Sequence, residues 1–393
     1  MKENIPEGWK KVRLGDCIKE IVDKTTENNQ YEVLSVTKDG IFSQEEFFKK
    51  QIASENNIGY KIIRRNNLVF STMNLWMGSL DVLTNYDIGI VSPAYKIFEF
   101  NTELMLPQYG NYFTKSYYMI EQYKKYSEQG ASVVRRNLDL KGLLNSRVII
   151  PSIEEQEKIV EILEKIEKMV EDLDKQIFLI KYIKEKIFIE FYYKTDIKKV
   201  KEMKEIGYFL KGNGLSKSDI NTEGKKCILY GELYTTYKEV TREVNSKTKN
   251  IPKNPIYSKI EDVLIPSSGE TDIDISTATC IMNENIIIGG DLNVFRKNNE
   301  NIDGRYVSYV INYVKKNEIA RLAQGFSVVH LYSKNLEKIK IRVPDIEKQR
   351  KISNVMENYD KKINYLEEKK NNFNNLKEGL MQQLLTGKVR VKI

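Results

Sequence analysis

The side chains of this sequence most often found doing chemistry are one histidine, His330, three cysteines, Cys17, Cys227 and Cys280, and a close acidic pair, Asp272 and Asp274. None of them stands in a reactive pattern. The cysteines are far apart and form no CxxC pair, which predicts reduced thiols. A single histidine removes most metal sites and leaves no partner for a Cys–His or Ser–His mechanism away from position 330. Asp272 and Asp274 sit in a polar stretch without a nuclease-like lysine pattern, so a solvated loop is expected there. No GxxxxGK phosphate loop occurs, so ATP-driven movement is not encoded in this chain.

One tetrapeptide needs separate treatment. Asn254-Pro255-Ile256-Tyr257 resembles the Asn-Pro-Pro-Tyr motif with which amino-methyltransferases hold a target amine and stack on its base. Here isoleucine replaces the second proline, and no glycine-rich strand–turn–helix precedes it to hold a methyl donor. The sequence reads as one that binds and does not react.

With 393 residues the chain exceeds the usual size of one domain, so two domains with connecting elements are expected. Lys and Arg outnumber Asp and Glu by 63 to 55, a net +8 that gives a mild bias toward polyanions. The N-terminus has no apolar core of the signal-peptide kind. The most apolar stretch, Ile177 to Tyr193, is broken by Lys181, Lys184, Glu185, Lys186 and Glu190. A cytoplasmic chain with no membrane partner is expected.

The strongest signal is an internal repeat. RVIIPSIEEQEKIVEIL from Arg147 returns as KIRVPDIEKQRKISNVM from Lys340, matching Pro151 with Pro344 and Gln156 with Gln349 at an offset of 193 residues. In the first copy Ile159, Leu163, Ile166, Val170, Leu173, Ile177 and Ile180 alternate steps of four and three, the period of a coiled-coil seam. Ile352, Met356, Tyr359, Ile363 and Leu366 hold the same phase in the second, followed by Phe373. Where the stripe next calls for an apolar residue, both copies have lysine, Lys184 and Lys377. Upstream, QGASVV from Gln129 returns as QGFSVV from Gln324 at an offset of 195. A weaker pair aligns LGDCIK from Leu14 with IGYFLK from Ile206.

Between the repeated segments the two halves differ strongly. Runs at Tyr60–Ser71, Ile88–Phe100, Asp262–Pro266 and Asn285–Phe295 have strand composition, and Pro107–Tyr126 and Gly304–Ala323 have helical spacing. At ~1.5 Å per residue each repeated helix is about 60 Å long and needs a partner for its apolar stripe. The other helix of the same chain, antiparallel about a pseudo-two-fold axis, is the expected partner. Packing of each helix on its own domain is the alternative.

Taken together these features resemble the specificity subunit of a Type I restriction–modification system. The opening PEGWKKVRLGD, GIVSPAYKIFEF from Gly89, SGETDIDISTAT from Ser268, the two Pro-x-x-x-x-Gln helix starts and the ending LKEGLMQQLLTGKVRV from Leu376 carry the resemblance, which spans essentially the full length. It implies an α+β fold with two mixed α/β target-recognition domains separated by two long conserved helices, packed as an antiparallel coiled coil. The corresponding division is 1–150 and 196–343 for the recognition domains, 151–195 for the first spacer helix, and 344–393 for the second with its tail. The resemblance also implies a non-catalytic, DNA-binding subunit. Each domain would read half of a bipartite, asymmetric site in double-stranded DNA. Partners would be two modification subunits that methylate adenine with S-adenosylmethionine, and restriction subunits that use ATP and Mg. This chain itself would hold no cofactor.

Base and phosphate contact calls for Arg, Lys and small polar side chains on loops or edges. The first-domain candidates are Lys61, Arg64, Arg65, Asn74, Gln129, Ser132, Arg135 and Arg136. Those of the second are Arg242, Lys247, Lys249, Ser267, Ser268, Glu270, Thr271, Gln324, Ser327 and His330. Rival readings are a duplicated coiled-coil scaffold, a stand-alone methyltransferase or nuclease, and the specificity subunit of a methylation-only defence system.

Overall fold

The computed structural model describes residues 5–37, 40–44, 56–129, 136–196, 199–325 and 328–392. They fall into two compact units, Met1–Leu173 with Lys369–Ile393, and Asp174–Glu368. Both units mix strands with short helices, and both contain part of each of two long helices, Ile153–Lys194 and Ile346–Leu384. Among the described residues no helix is long and apolar enough to cross a membrane.

In the first unit Lys10–Arg13 pairs antiparallel with Arg147–Ile150, the strand that leads into the first long helix. A four-stranded antiparallel sheet follows, in the order Ile18–Ile21, Tyr95–Phe100, Leu68–Ser71, Leu80–Val82. The apolar run at Tyr60–Ser71 forms two strands because Asn66, at φ 70°, turns the chain between Lys61–Arg64 and Leu68–Ser71. The run at Ile88–Phe100 divides at Ser92-Pro93-Ala94 into Ile88–Val91 and Tyr95–Phe100. The helical stretch likewise divides into Pro107–Thr114 and Tyr117–Lys125, the latter capped by the Ser116 hydroxyl, which accepts from the Met119 amide.

The second unit repeats this plan with unlike residues. Val200–Glu202 pairs with Lys340–Arg342, the strand before the second long helix. Its main sheet runs Gly207–Lys211, Leu292–Lys297, Asp262–Pro266, Thr279–Ile281, with Val240–Thr241 added in parallel. Helix Gly304–Val310 begins where a Cβ would lie 2.1 Å from the Glu261 carbonyl, so only glycine fits that approach. The LGDC–IGYF match is out of structural register. The helical turn Leu14–Cys17 has its counterpart in Met203–Ile206, and the strand after it begins at Ile18 in one unit and Gly207 in the other.

The repeated Pro-x-x-x-x-Gln start has a clear structural cause. The Gln156 side-chain amide donates to the carbonyls of Pro151 and Leu104, and its oxygen accepts from the Leu106 amide. Gln349 does the same with Pro344, Asn301 and Asp303. Leu106 and Asp303 are the N-cap residues of the helices Pro107–Thr114 and Gly304–Val310. Each buried glutamine therefore ties the start of its long helix to the start of a domain helix. The opening and closing motifs of the chain also meet. Trp9 Nε1 donates to Glu155 at 3.0 Å, and Arg390 grips the same carboxylate at 2.7 and 2.9 Å.

The apolar stripes are not used for one purpose along their length. Ile159 and Leu163 are buried in the core of the first unit with Tyr109, Phe113, Leu384 and Leu385. Phe188, Tyr192, Ile352 and Met356 are buried in that of the second with Tyr306 and Tyr309. At Ile159, Leu163, Ile352 and Met356 each helix packs on its own domain, the alternative posed above, whereas Phe188 and Tyr192 of the first helix and Leu384 of the second pack in the core of the other domain. The two lysine defects are placed in matching clusters. Lys377 bonds Glu167 at 2.5 Å, and Glu167 accepts from the Tyr112 hydroxyl at 2.6 Å. Lys184 bonds Asp360 at 2.6 Å, and Asp360 accepts from the Tyr309 hydroxyl at 3.2 Å. Glu167 and Asp360 are themselves 193 residues apart, the spacing of the repeat. The second cluster is the deeper one. The Lys184 side chain is 3% exposed against 28% for Lys377, and Lys184 takes an additional partner in Glu239 at 3.0 Å.

Two outcomes follow for stability, both read by denaturant unfolding. Lys184→Ala leaves Asp360 and Glu239 without their cation and is expected to cost about 3–5 kcal/mol, well beyond the cost of Lys377→Ala. Gln156→Leu and Gln349→Leu each strand three backbone groups and are expected to cost roughly 2 kcal/mol or more, by similar amounts in the two units.

Candidate nucleic-acid interface

The polar candidates gather where a sheet strand ends in a turn that meets the strand beside the QGxSVV motif. In the first unit Ser127–Gln129 pairs antiparallel with Arg136–Leu138, setting Gln129 opposite Arg136. The Arg136 amide donates to the Met73 carbonyl at 3.1 Å, which joins this hairpin to the turn after Leu68–Ser71. That turn carries Asn74 and Trp76, and the Arg136 guanidinium lies 4.0 Å from the Trp76 ring centroid. Arg136 also lines an open groove with Thr72, Met73, Asn137 and Lys141. Ser132 and Arg135 lie outside the described residues.

The second unit builds the same junction from other residues. Ser268–Gly269 pairs with Val329–His330, and Gln324 forms an antiparallel bridge with His330. Ser268 Oγ donates to Asp291 Oδ1 at 3.2 Å and lies 3.0 Å from His330 Nδ1. Thr271 caps the turn Asp272–Ile275 by accepting from the Asp274 amide, and Glu270 beside it is exposed. Ser267 is buried just before this pair of strands. So Ser267, Ser268, Glu270, Thr271, Gln324 and His330, from two distant stretches of sequence, come together, while Ser327 lies outside the described residues.

The remaining candidates are elsewhere, and several are committed to the fold. Lys61 is buried, its ammonium donating to the Tyr95 carbonyl at 2.5 Å, and burial with neighbouring Lys96 lowers its pKa. A buried strand residue with that bond cannot serve as a surface contact, which corrects its place among the candidates. Arg64 pairs with Asp23 and Arg65 with Asp87 at the surface. Arg242 is bound through one nitrogen to both oxygens of Glu357 on the second long helix, which ties the second domain to that helix. Lys249 pairs with Glu223, and Lys247 stands on Lys247–Thr248 directly opposite Lys226 of Lys225–Ile228.

The groups with catalytic potential are occupied structurally. Burial pushes the Cys17 thiol up to about 12 and the Cys227 thiol to about 11, and it raises Cys280 further from reactivity. Asp272 and Asp274 belong to the capped turn, where Asp272 is exposed and Asp274 partly so, and no metal-binding group of three such side chains occurs among the described residues. Within Asn254–Tyr257 the Asn254 carbonyl accepts from Asn213, and Ile256–Tyr257 is a strand paired with Ile287–Ile288. Sequence reasoning missed Trp76, Asp291 and Lys226. Trp76 carried one signal, being one of two tryptophans in the chain.

Residues 6–179 and 195–374 each match the family described as Type I restriction modification DNA specificity domain. The chain belongs to this family. The type I restriction enzyme MjaVIII specificity subunit of Methanocaldococcus jannaschii is 25% identical over 99% of this chain and 94% of its own length. The MjaX specificity subunit of the same organism is 31% identical over 36% of this chain, a match that spans 34% of that relative. In fold, a chain solved in work on assembly and conformational transition of the type I R-M system aligns at a TM-score of 0.62 with 15% identity, covering 98% of this chain and all of that one.

For a DNA specificity domain the Lys226–Lys247 pair is informative. Like charges directly opposite on an antiparallel ladder repel, and a polyanion relieves the repulsion. Lys226→Gln is expected to raise stability of the free chain by about 0.2–1 kcal/mol. It should also reduce the slope of log affinity for DNA against log salt by about one. Equilibrium unfolding and DNA titration across a salt series check the two halves separately.

Proposed function

We propose that each domain, residues 1–150 and 196–343, reads one half of a bipartite, asymmetric site in double-stranded DNA. The two long helices pair as an antiparallel coiled coil that sets the spacer between the halves. The observation that carries this reading is the duplicated frame around unlike contents. Gln156 and Gln349, and the Lys377–Glu167–Tyr112 and Lys184–Asp360–Tyr309 clusters, repeat bond for bond. The residues at the strand–turn junctions differ, with Arg136 and Trp76 in one and His330, Ser268 and Asp291 in the other. Unlike readers on equivalent frames call for unlike half-sites, and a duplicated scaffold protein leaves that divergence without a purpose.

In this reading the chain carries no catalytic step and binds no cofactor. Two modification subunits dock on the helical regions and methylate adenine with S-adenosylmethionine. Restriction subunits that use ATP and Mg join that core, and the complex works in the cytoplasm. An apolar, solvent-facing stretch on the first long helix supports docking of a protein partner there. Phe178, Leu179, Tyr182 and Ile183 share one side of the helix, and Phe178 is 73% exposed.

The test is to map methylated adenines in DNA exposed to the chain with its cognate modification subunit. The expected product is a two-part site with different halves. One heptad is about 10 Å of helix, or roughly three base pairs at ~3.4 Å each. Removing one heptad from each long helix between its polar clusters is therefore expected to shorten the spacer and leave both half-sites unchanged. An unchanged spacer with full modification would remove the helices from that role.

A further inference from the structure

The strand pairing singles out one position in each domain, the residue opposite the duplicated glutamine. Gln129 faces Arg136, and Gln324 faces His330. Aligning the QGxSVV motifs by sequence alone would set His330 against Arg135, so the second loop is one residue shorter than the first. At this position the frame is shared and the side chain is not.

Arg136 is anchored by an aromatic ring and not by an ion pair. Arg13, Arg64 and Arg65 of the same domain are each paired with an aspartate, whereas no carboxylate bonds Arg136 among the described residues. Its guanidinium is instead stacked on Trp76 at 4.0 Å, which fixes the plane of the fork without consuming its donors. Arg136 Nε and the nearby Asn74 Oδ1 are both shielded from solvent with no hydrogen-bond partner. Unsatisfied polar atoms are costly in a folded chain, and Arg136 itself lines an open groove in which a ligand can meet the remaining donors of its guanidinium. A planar, pre-oriented fork matches the O6 and N7 acceptors of guanine in the major groove. His330, whose Nδ1 is engaged by Ser268 Oγ, presents the single nitrogen Nε2 in place of a fork and suits a different base edge.

We propose that the residue opposite the duplicated glutamine reads a base of its half-site: Arg136, stacked on Trp76, a guanine in the first, and His330 a base in the second. This rests on the two-reader function above. The experiment uses the full chain with its cognate modification subunit on a library of randomised sites, scoring methylation at every position for wild type, Arg136→Ala, Arg136→Lys, Trp76→Phe and His330→Ala. Arg136→Ala is expected to flatten discrimination at one guanine of one half-site by roughly 5- to 100-fold, with the other half-site intact. Arg136→Lys and Trp76→Phe should flatten the same position less, and His330→Ala should act on the opposite half-site. The untouched half-site reports that each variant is folded. A uniform loss over all sequences makes these residues phosphate contacts and overturns the proposal, as does an unchanged preference. A wild-type complex with no two-part preference would instead overturn the function on which the proposal rests.

Discussion

A lysine placed where an apolar stripe should continue is the constraint on which the rest of this structure turns. Lys184 is as buried as the aliphatic residues around it, and its ammonium is tolerable only because Asp360 and Glu239 both reach it. An apolar seam alone favours no heptad over the next. A buried charge does, because misplacement leaves it unpaired. The pairing across the helices is not sufficient by itself, since Glu367 and Asp174 stand seven residues beyond Asp360 and Glu167 and would offer carboxylates to a slipped register. The choice is completed by side chains from the domains. The hydroxyls of Tyr112 and Tyr309 bond Glu167 and Asp360, and Glu239 bonds Lys184 and Tyr313. Register is therefore a joint property of helix and domain within each unit.

The electrostatics of the deeper cluster fit this division of labour. Burial raises the Asp360 pKa, with Lys184 opposing it, whereas for Glu239 the same lysine and the Tyr313 hydroxyl outweigh burial and hold the carboxyl below its ordinary value. A depressed acid contributes stability that is lost as pH falls through its folded pKa. A raised one favours folding while protonated, and that contribution is lost as pH rises. The helix carboxylate alone is thus a reluctant anion. Lys184 is held by one carboxylate from the second long helix, Asp360, and one from the domain, Glu239, so the cluster joins the second domain to its helix.

Much of this was legible in the sequence because duplication makes a pattern visible twice. The long helices, their polar starts at Gln156 and Gln349 and the defects at Lys184 and Lys377 all stood at one offset, and each has a bonded partner that explains it. The strand-forming runs were legible, but not the division of each into two strands at Asn66, Pro93 and Gly289-Gly290. What could not be read was any relation that strand pairing creates between distant residues. Nothing in local composition says that Lys61 points inward to Tyr95, that Arg136 lies on Trp76, or that Ser268 meets His330. The match of LGDC with IGYF failed for a related reason. Leu14–Cys17 is a short helix, whereas Ile206 is the last residue of its counterpart and Gly207–Phe209 lie in the strand after it, and similarity of such small elements does not fix their register.

The separation between frame and contents has a physical consequence for how such a chain can change. The bonds of Gln156 and Gln349 end on backbone groups, which any sequence supplies. Tyr112 and Tyr309 come from the helices Pro107–Thr114 and Gly304–Val310, and Tyr313 from the helical segment Ile311–Lys315 after the latter, not from the turn and strand segments that carry Asn74, Trp76 or Ser268. Substitution of Asn74, Trp76 or Ser268 alters none of these glutamine and tyrosine bonds. The second unit illustrates the freedom this leaves, adding Val240–Thr241 to its main sheet and a separate five-stranded ladder containing Lys226 and Lys247. A frame that depends on backbone acceptors and a few interior side chains lets two domains diverge in what they recognise while each continues to be held the same way.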